Sequence, residues 1–321
     1  MPNIFKDKNI LVTGGAGFIG INFIKKLLKL EAKVRATIHI NGPVINDDRI
    51  EYIQCDLLNK YECRKIVKGI DYIFLCAANT SGAGGLNNTP LAFLSPNLIL
   101  NMQMLESAYE ADVKKVLFIS STTAYPDVGN KPLKEEEFFN GDPYDKYIPV
   151  GWMYRFSEIL CRIYSQKLKN RISIVVLRPS NIYGEFDNFE FETAHVLPSL
   201  VRKIVERQAP IEVWGTGNDK RDLIYIDDFI NAALLAVEKI DSYNPINIGF
   251  GKGYSVKQIL KTILELEGYT DAKIKFDSSK PSMIPVRLVD TTRSETLLGF
   301  KPSTDLRDGI RKTIKWFHQE N

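Results

Sequence analysis

Three glycines near the start of the chain have the spacing of a loop that binds a dinucleotide. Gly14, Gly17 and Gly20 follow the apolar run 10–12 and open a segment with apolar residues on one helical face. In such a loop the first glycine permits a tight turn, the second lets the backbone approach a pyrophosphate, and the third lets the helix pack closely on the strand. The spacing predicts a nicotinamide dinucleotide held at a helix N-terminus, and the alternative is a tight turn without a ligand.

The end of the second predicted strand, 33–38, would contact the adenosine ribose of this cofactor. An acidic residue at this place favours the free 2′-hydroxyl of NAD, whereas a cation favours the 2′-phosphate of NADP. The chain has Thr37, Ile38 and His39 there, so neither rule applies directly. No arginine follows the first glycine of the loop, which favours NAD and leaves NADP possible.

Two further strand ends complete the predicted cofactor site. Asp56 ends strand 52–55, where its carboxylate would either accept a hydrogen bond from the adenine amino group or cap the next helix. The small residues Ala77 and Ala78 would let the cofactor pass over the end of strand 71–78. The predicted cofactor-binding residues are Gly14, Gly17, Phe18, Ile19, Gly20, His39, Asp56, Leu57, Ala77 and Ala78.

Hydroxyl groups cluster directly after the predicted strand 116–120. Ser121, Thr122, Thr123 and Tyr125 stand there. Ligands of open parallel sheets bind at the carboxyl ends of the strands, so these hydroxyls are candidates for contacts with a substrate. The alternative is a turn that is simply rich in serine and threonine.

The elements that position these residues alternate between strands and helices, which predicts an α/β fold with a doubly wound parallel (Rossmann) sheet and a smaller C-terminal lobe. Residues 1–178 form the predicted dinucleotide-binding domain, and 222–250 return to its sheet through strands 222–226 and 246–249. Residues 179–221 and 251–321 form the lobe. The other predicted elements are strand 172–177, helices 96–109 and 151–168, and a glycine-rich loop at 82–85.

Composition and charge narrow the class of protein. The 321 residues include 42 basic and 39 acidic side chains, and the net charge of +3 argues against nucleic-acid or membrane partners. The cysteines have no CxxC pairing and only three histidines are present, which argues against a zinc site. Free thiols and the lack of an apolar run of about 18 residues favour a cytoplasmic protein without a membrane span.

Several longer motifs resemble the extended short-chain dehydrogenases/reductases that act on nucleotide sugars, and the resemblance covers nearly the whole chain. The first set of motifs comprises 13–20, Ala77-Ala78, Ser120-Ser121 before Tyr125, and 177–184. The later segments resemble GDP-fucose synthases, which are GDP-sugar epimerase-reductases. The matching runs are 195–198, 213–217, 221–228 and 279–281.

The resemblance implies roles for residues of the C-terminal lobe, which would bind the substrate. Asn181 would contact the sugar diphosphate, and Arg221 would pair with a phosphate through its planar guanidinium. Val213 and Trp214 would line the nucleotide pocket. Arg287 is a second candidate for a phosphate contact, and the alternative is an exposed surface arginine.

The resemblance also implies a role for Ser121 and an assembly. Ser121 would hydrogen-bond the reacting sugar oxygen, four residues before Tyr125. Helices 96–109 and 151–168 would form the interface of a homodimer as a four-helix bundle.

The chain departs from the family at its central Tyr-Lys pair, which is spaced YxxxK. The best local match places Val150 at the tyrosine and Tyr154 at the lysine. Valine cannot transfer a proton, whereas Tyr154 lies one turn further along the same helix face, about 6 Å along the axis. One interpretation makes Tyr154 the acid/base, with Tyr144, Lys146 and Tyr147 as further candidates. In the other interpretation the pair is lost and the protein binds without turnover.

Two further substitutions narrow the reaction. Family dehydratases have Asp-Glu where this chain has Thr122 and Thr123, so elimination of water lacks its acid and base. GDP-fucose synthases pair a cysteine with a histidine for epimerisation. His195 matches this histidine, but Thr123 replaces the cysteine, and a hydroxyl is a far weaker acid than a thiol. His195 would contact the substrate or serve a structural role.

We therefore expect an NAD(P)-dependent oxidoreductase that transfers a hydride at C4 of a GDP-linked hexose or heptose in polysaccharide biosynthesis. The predicted catalytic residues are Ser121, Tyr154 and Thr123. The predicted substrate-binding residues are Asn181, His195, Val213, Trp214, Arg221 and Arg287. The alternatives are a GDP-4-keto-sugar 3,5-epimerase-reductase and a catalytically impaired protein that binds a nucleotide sugar or dinucleotide.

Overall fold

The fold was determined as a computed structural model, which describes residues 3–79, 90–280 and 283–320. The glycine-rich loop predicted at 82–85 and Pro281 of the 279–281 motif lie outside these residues. The strands are β1 (Asn9–Thr13), β2 (Lys33–Ile38), β3 (Ile50–Gln54), β4 (Tyr72–Leu75), β5 (Lys115–Ile119), β6 (Ser173–Pro179), β7 (Asn181–Tyr183), β8 (Ile211–Trp214), β9 (Lys220–Tyr225), β10 (Ile246–Ile248), β11 (Gly253–Ser255), β12 (Ile274–Asp277) and β13 (Val286–Arg287). The helices are α1 (Phe18–Lys29), α2 (Lys60–Ile66), α3 (Pro90–Glu110), α4 (Ile148–Gln166), α5 (Val196–Val205), α6 (Ile226–Lys239), α7 (Val256–Leu266) and α8 (Leu306–Glu320).

A seven-stranded parallel sheet forms the centre of the molecule, in the order β10-β6-β5-β4-β1-β2-β3. The strand order reverses beside β1, which pairs with β2 on one edge and with β4 on the other. The crevice outside such a reversal is the usual ligand site of doubly wound folds. The predicted doubly wound α/β fold is therefore confirmed.

Helix α1 covers the sheet with the apolar face that the sequence predicts. Phe23, Ile24 and Leu27 are fully buried, while Lys25 and Lys26 lie toward solvent. Burying such side chains contributes roughly 1.5–3 kcal/mol each, so this face fixes the helix on the sheet. Its first turn is thereby held beside the glycine loop.

The return of strand 222–226 to the central sheet was predicted, and this is wrong. Strand β9 pairs instead with β7, β11 and β13 in a second sheet, and β8 pairs with β12 in a third. Strand β10 does return to the central sheet, where it pairs with β6. Helix α6 also returns, because it packs on α1 and β6. The division of the chain into two domains stays a prediction.

Two helices begin earlier than predicted. Helix α3 starts at Pro90 and contains Pro96, which had marked its predicted start. The Asn97 side chain of this helix holds Asn79. It accepts a hydrogen bond from the backbone N–H of Asn79 and donates one to the Asn79 carbonyl. Helix α4 starts at Ile148 with proline in its first turn, where the missing N–H is tolerated.

Among the described residues, no helix has both the length and the apolar composition to cross a membrane.

A buried polar cluster joins α4 to the central sheet. Arg178 of β6 donates to both carboxylate oxygens of Glu158 on α4, at 2.9 and 2.7 Å, and both side chains are almost completely buried. The same carboxylate accepts hydrogen bonds from the hydroxyls of Ser120 and Tyr243. Arg178 also donates to the hydroxyl of Tyr125. These bonds fix the position of α4 relative to the end of β5.

The glycine loop provides a test of the packing. A Cβ atom on Gly20 would lie 2.2 Å from the carbonyl oxygen of Gly14, whereas one on Gly17 would lie 3.3 Å from it. We expect Gly20→Ala to lower the free energy of unfolding by about 1–3 kcal/mol, because backbone must move. Gly17→Ala should cost about 1 kcal/mol or less, mainly through the weaker helix cap. Urea unfolding measures both, and equal midpoints for the two variants would contradict this packing.

Candidate active site

The glycine loop leaves an open helix N-terminus. Gly14 has φ +68°, and a Cβ there would lie 2.8 Å from Cα of Ala77. Its N–H donates to the hydroxyl of Thr37, which holds the loop against β2. Gly17 is exposed, precedes α1 without any side-chain cap, and no acidic residue stands in the first turn. The first N–H groups, including those of Phe18 and Ile19, are therefore available to a pyrophosphate.

The adenosine end of this crevice is defined by the ends of β2 and β3. His39 is exposed after β2, and its carbonyl accepts a hydrogen bond from Gln54. Asp56 does not cap the next helix, because the side chain of Asn59 caps α2. One Asp56 oxygen accepts from the N–H of Leu58 within a tight turn. Its position at a strand end fits a contact with the adenine, and the residues present fit the dinucleotide.

Ser121 and Thr123 form a hydrogen-bonded pair after β5. Their hydroxyl oxygens lie 2.8 Å apart, and the Ser121 oxygen also accepts from the N–H of Thr123 at 3.1 Å. Both residues are partly exposed, whereas Thr122 is buried. Tyr125 is buried too, and its hydroxyl donates to the Asn247 side chain. Of this cluster, Ser121 and Thr123 therefore present hydroxyls to the crevice.

The helix that should carry the Tyr-Lys pair carries no such pair. Val150 packs against a small apolar cluster containing Met283 and Ile284. Tyr154 lies between two apolar clusters, and its burial raises the pKa of the phenol to about 12. Its hydroxyl makes no hydrogen bond to a described residue. The lysine that would lower the pKa is replaced by Tyr154 itself, so the phenol stays protonated at neutral pH.

Two arginines lie side by side in the second sheet. Arg221 and Arg287 are register partners in the parallel strands β9 and β13. Arg287 donates from Nη2 to the side-chain oxygen of Asn181 at 2.9 Å. Its Nη1 is buried without a hydrogen-bond partner, and no described carboxylate pairs with it. Arg221 donates to the carbonyl of Pro285 and pairs loosely with Asp219, at 3.3 Å. This unpaired nitrogen can donate a hydrogen bond to an anionic group of a ligand.

His195 lies near these arginines, at the start of α5. The residue is exposed, and desolvation by the surrounding protein together with the charge of Arg287 lowers the pKa of His195. The ring is therefore neutral at pH 7. Val213 is buried in the core, whereas Trp214 is 44% exposed with the ammonium of Lys280 above its ring. Of the two predicted pocket residues, Trp214 is the one whose side chain a base can stack on.

Two residues have surroundings that the sequence did not predict. Tyr147 packs beneath Arg287, with 5.1 Å between the ring centroid and Cζ. Asp187 follows β7, has one buried oxygen without a partner, and burial raises its pKa to about 7. Spacing gave no signal for Tyr147, because its contact with Arg287 joins segments far apart in the chain. Among the described residues, no group of three or more potential ligands is placed to hold a metal ion.

Comparison with known proteins identifies the family of the chain. Residues 10–249 match the NAD dependent epimerase/dehydratase family. The chain is 30% identical to the GDP-L-fucose synthase of Escherichia coli (strain K12), over 77% of this chain and 80% of that protein. It resembles the structure of UDP-glucose 4-epimerase from Thermotoga maritima, with a TM-score of 0.87, 26% identity and coverage of 97% and 99% of the two chains.

A second solved structure is a GDP-6-OMe-4-keto-L-xylo-heptose reductase from C. jejuni. Its TM-score is 0.86 at 25% identity, with coverage of 100% of this chain and 99% of that one. The family match covers most of the chain, including the glycine loop, the Ser121 turn and Asn181. The protein is therefore an NAD(P)-dependent enzyme of the NAD dependent epimerase/dehydratase family, an extended short-chain dehydrogenase/reductase of the nucleotide-sugar type.

Proposed function

We propose that the enzyme interconverts a hydroxyl and a keto group at C4 of a GDP-linked hexose or heptose, for polysaccharide biosynthesis. The observation that carries the proposal is the unpaired Nη1 of Arg287, next to Asn181 and Arg221. Two adjacent guanidiniums with one free nitrogen fit the paired charges of a diphosphate. The exposed ring of Trp214 offers a stacking surface to the base. Guanine is proposed because the GDP-L-fucose synthases and the GDP-heptose reductase are similar to this chain.

Ser121 holds the reacting sugar oxygen in this proposal. Its hydroxyl is oriented by the N–H and hydroxyl of Thr123, so it can donate to an oxygen of the substrate. The bound dinucleotide supplies the hydride chemistry, held by the glycine loop and the strand ends that include His39, Asp56 and Ala78. Because Thr123 takes the place of the cysteine whose thiol takes part in epimerisation, hydride transfer alone is favoured over the epimerase-reductase alternative.

Tyr154 is the residue that we propose to exchange the proton. A phenol whose pKa is raised to about 12 is protonated at neutral pH, and this is the form that can donate a proton to a keto oxygen. The remaining alternative is a protein that binds a nucleotide sugar or dinucleotide without turnover. The absorbance experiment below distinguishes it from the proposed enzyme.

The proposed assembly is a homodimer through α3 and α4, which pack on each other. Large apolar side chains remain exposed on both helices. They are Ile99 and Met102 on α3, and Trp152, Phe156 and Ile163 on α4. Two copies of this face would bury them in a four-helix bundle.

The function is tested by following the absorbance of reduced nicotinamide when a panel of GDP-sugars is added. We expect one GDP-sugar to change it, with a fall for a 4-keto sugar and a rise for a 4-hydroxy sugar. Two controls should leave the absorbance unchanged: UDP-sugars added to the wild type, and GDP-sugars added to Gly17→Ala. In Gly17→Ala the added methyl group obstructs the approach of the dinucleotide pyrophosphate to the loop. An absorbance that stays unchanged with every GDP-sugar of the panel would contradict the proposal. Solvent deuterium at C3 or C5 of the product would instead support the epimerase-reductase.

Arg287→Met tests the diphosphate site. We expect KM for the GDP-sugar to rise roughly 10- to 100-fold with little change in kcat, because a hydrogen bond between charged groups contributes about 1.5–3 kcal/mol. The affinity for the dinucleotide should stay the same. Arg307→Met, which removes an exposed arginine paired with Glu265, is the control. An unchanged KM would show that the diphosphate binds elsewhere.

Phe156→Asp tests the dimer. Its side chain is 42% exposed, so a carboxylate is tolerated in one copy but would be desolvated between two. Sedimentation velocity should give twice the chain mass for the wild type and the single mass for the variant. Leu297→Asp changes an equally exposed apolar residue away from α3 and α4 and should leave the dimer intact. A wild type that sediments as one chain contradicts the proposed assembly.

A further inference from the structure

Tyr147 connects the arginine pair to the helix that lines the reacting end of the site. It immediately precedes α4, and four residues later Gly151 packs against the Ser121–Thr123 turn. A Cβ on Gly151 would lie 3.2 Å from the carbonyl oxygen of Thr123. The start of α4 therefore stands between the hydroxyl pair and the second sheet.

The surroundings of Tyr147 are apolar on one side and cationic on the other. The side chain is only 5% exposed and packs with Met283 and Ile284, which lead into β13. The Arg287 guanidinium lies over the ring, 5.1 Å from its centroid. One aromatic ring thus touches the strand that carries the anion-binding arginine and the helix that lines the sugar site.

Arg287 has few other restraints. Its single hydrogen bond to a described side chain runs to Asn181, and no described carboxylate holds it. A guanidinium over an aromatic face is held by the attraction of the cation to the ring, and this attraction is larger where water is excluded. Since no described carboxylate pairs with Arg287, the ring orients its guanidinium without neutralising the charge that a diphosphate needs.

We infer that Tyr147 is a positioning residue for the substrate diphosphate: its ring seats the Arg287 guanidinium and ties that anchor to the start of α4. The inference rests on the proposed diphosphate site at Arg287. The contact between the Tyr147 ring and the Arg287 guanidinium then sets the distance between the diphosphate bound at Arg287 and the sugar oxygen bound at Ser121. The aromatic ring carries this role, and the hydroxyl does not.

The test compares Tyr147→Leu with Tyr147→Phe, using calorimetric titration of GDP into the protein without added dinucleotide. We expect Tyr147→Leu to raise Kd for GDP roughly 3- to 10-fold, since it removes the ring beneath the cation. Tyr147→Phe keeps the ring and should bind GDP like the wild type. Tyr144→Leu is the matched control, because Tyr144 belongs to the same cluster, 6.0 Å from the Tyr147 ring, and no described arginine lies over it.

Steady-state kinetics complete the test. For Tyr147→Leu we expect KM for the GDP-sugar to rise in parallel with Kd for GDP, while KM for the dinucleotide stays constant. Equal weakening by Phe and Leu would overturn the inference, because the hydroxyl would then carry the effect. Equal weakening by Tyr144→Leu would overturn it as well, since general packing would suffice. A wild type that binds GDP tightly and never changes the cofactor overturns the proposed reaction, while the GDP titrations still decide the role of Tyr147.

Discussion

The ion pair between Arg178 and Glu158 is the interaction on which the reacting half of the site depends. Removing two charges from water is costly, and a buried pair is tolerated only when hydrogen bonds satisfy its remaining atoms. Here Ser120, Tyr125 and Tyr243 provide those bonds. The pair joins the last part of β6 to the middle of α4 and to the end of β5. The Ser121 turn and the start of α4 consequently keep one relative position.

The binding half is built on a different principle. Arg221 and Arg287 are held by neighbouring strands of a small separate sheet, with backbone carbonyls and one amide as their main partners. Carbonyl and amide oxygens orient a guanidinium while leaving most of its charge available. The lone ion pair of Arg221, with Asp219, is long at 3.3 Å. Charges are thus neutralised in the buried cluster of the scaffold, whereas most of the charge of the arginine pair stays available to the diphosphate that we propose.

Much of the nucleotide-binding fold could be predicted, because its signals are local. The glycine spacing and the apolar face with Phe23 and Leu27 are contained in one short segment, and both agree with the structure. The partner of a strand is not local information, so β9 was assigned to the wrong sheet. Asp56 was one candidate for the cap of α2, but its side chain accepts from the N–H of Leu58 in a turn, and Asn59 caps the helix instead. Tyr147 could not be assigned to Arg287, because the two positions lie 140 apart in the sequence.

The free nitrogen of Arg287 has a practical consequence for handling the protein. Sodium chloride screens a partly buried charge only weakly, whereas inorganic phosphate and sulfate are small enough to occupy the same place. In the diphosphate site that we propose, such oxyanions would compete with the substrate, so its apparent affinity would fall as their concentration rises. Purification with ammonium sulfate or storage in phosphate buffer would therefore leave the enzyme partly blocked. Amine buffers with chloride as the counterion keep this site open.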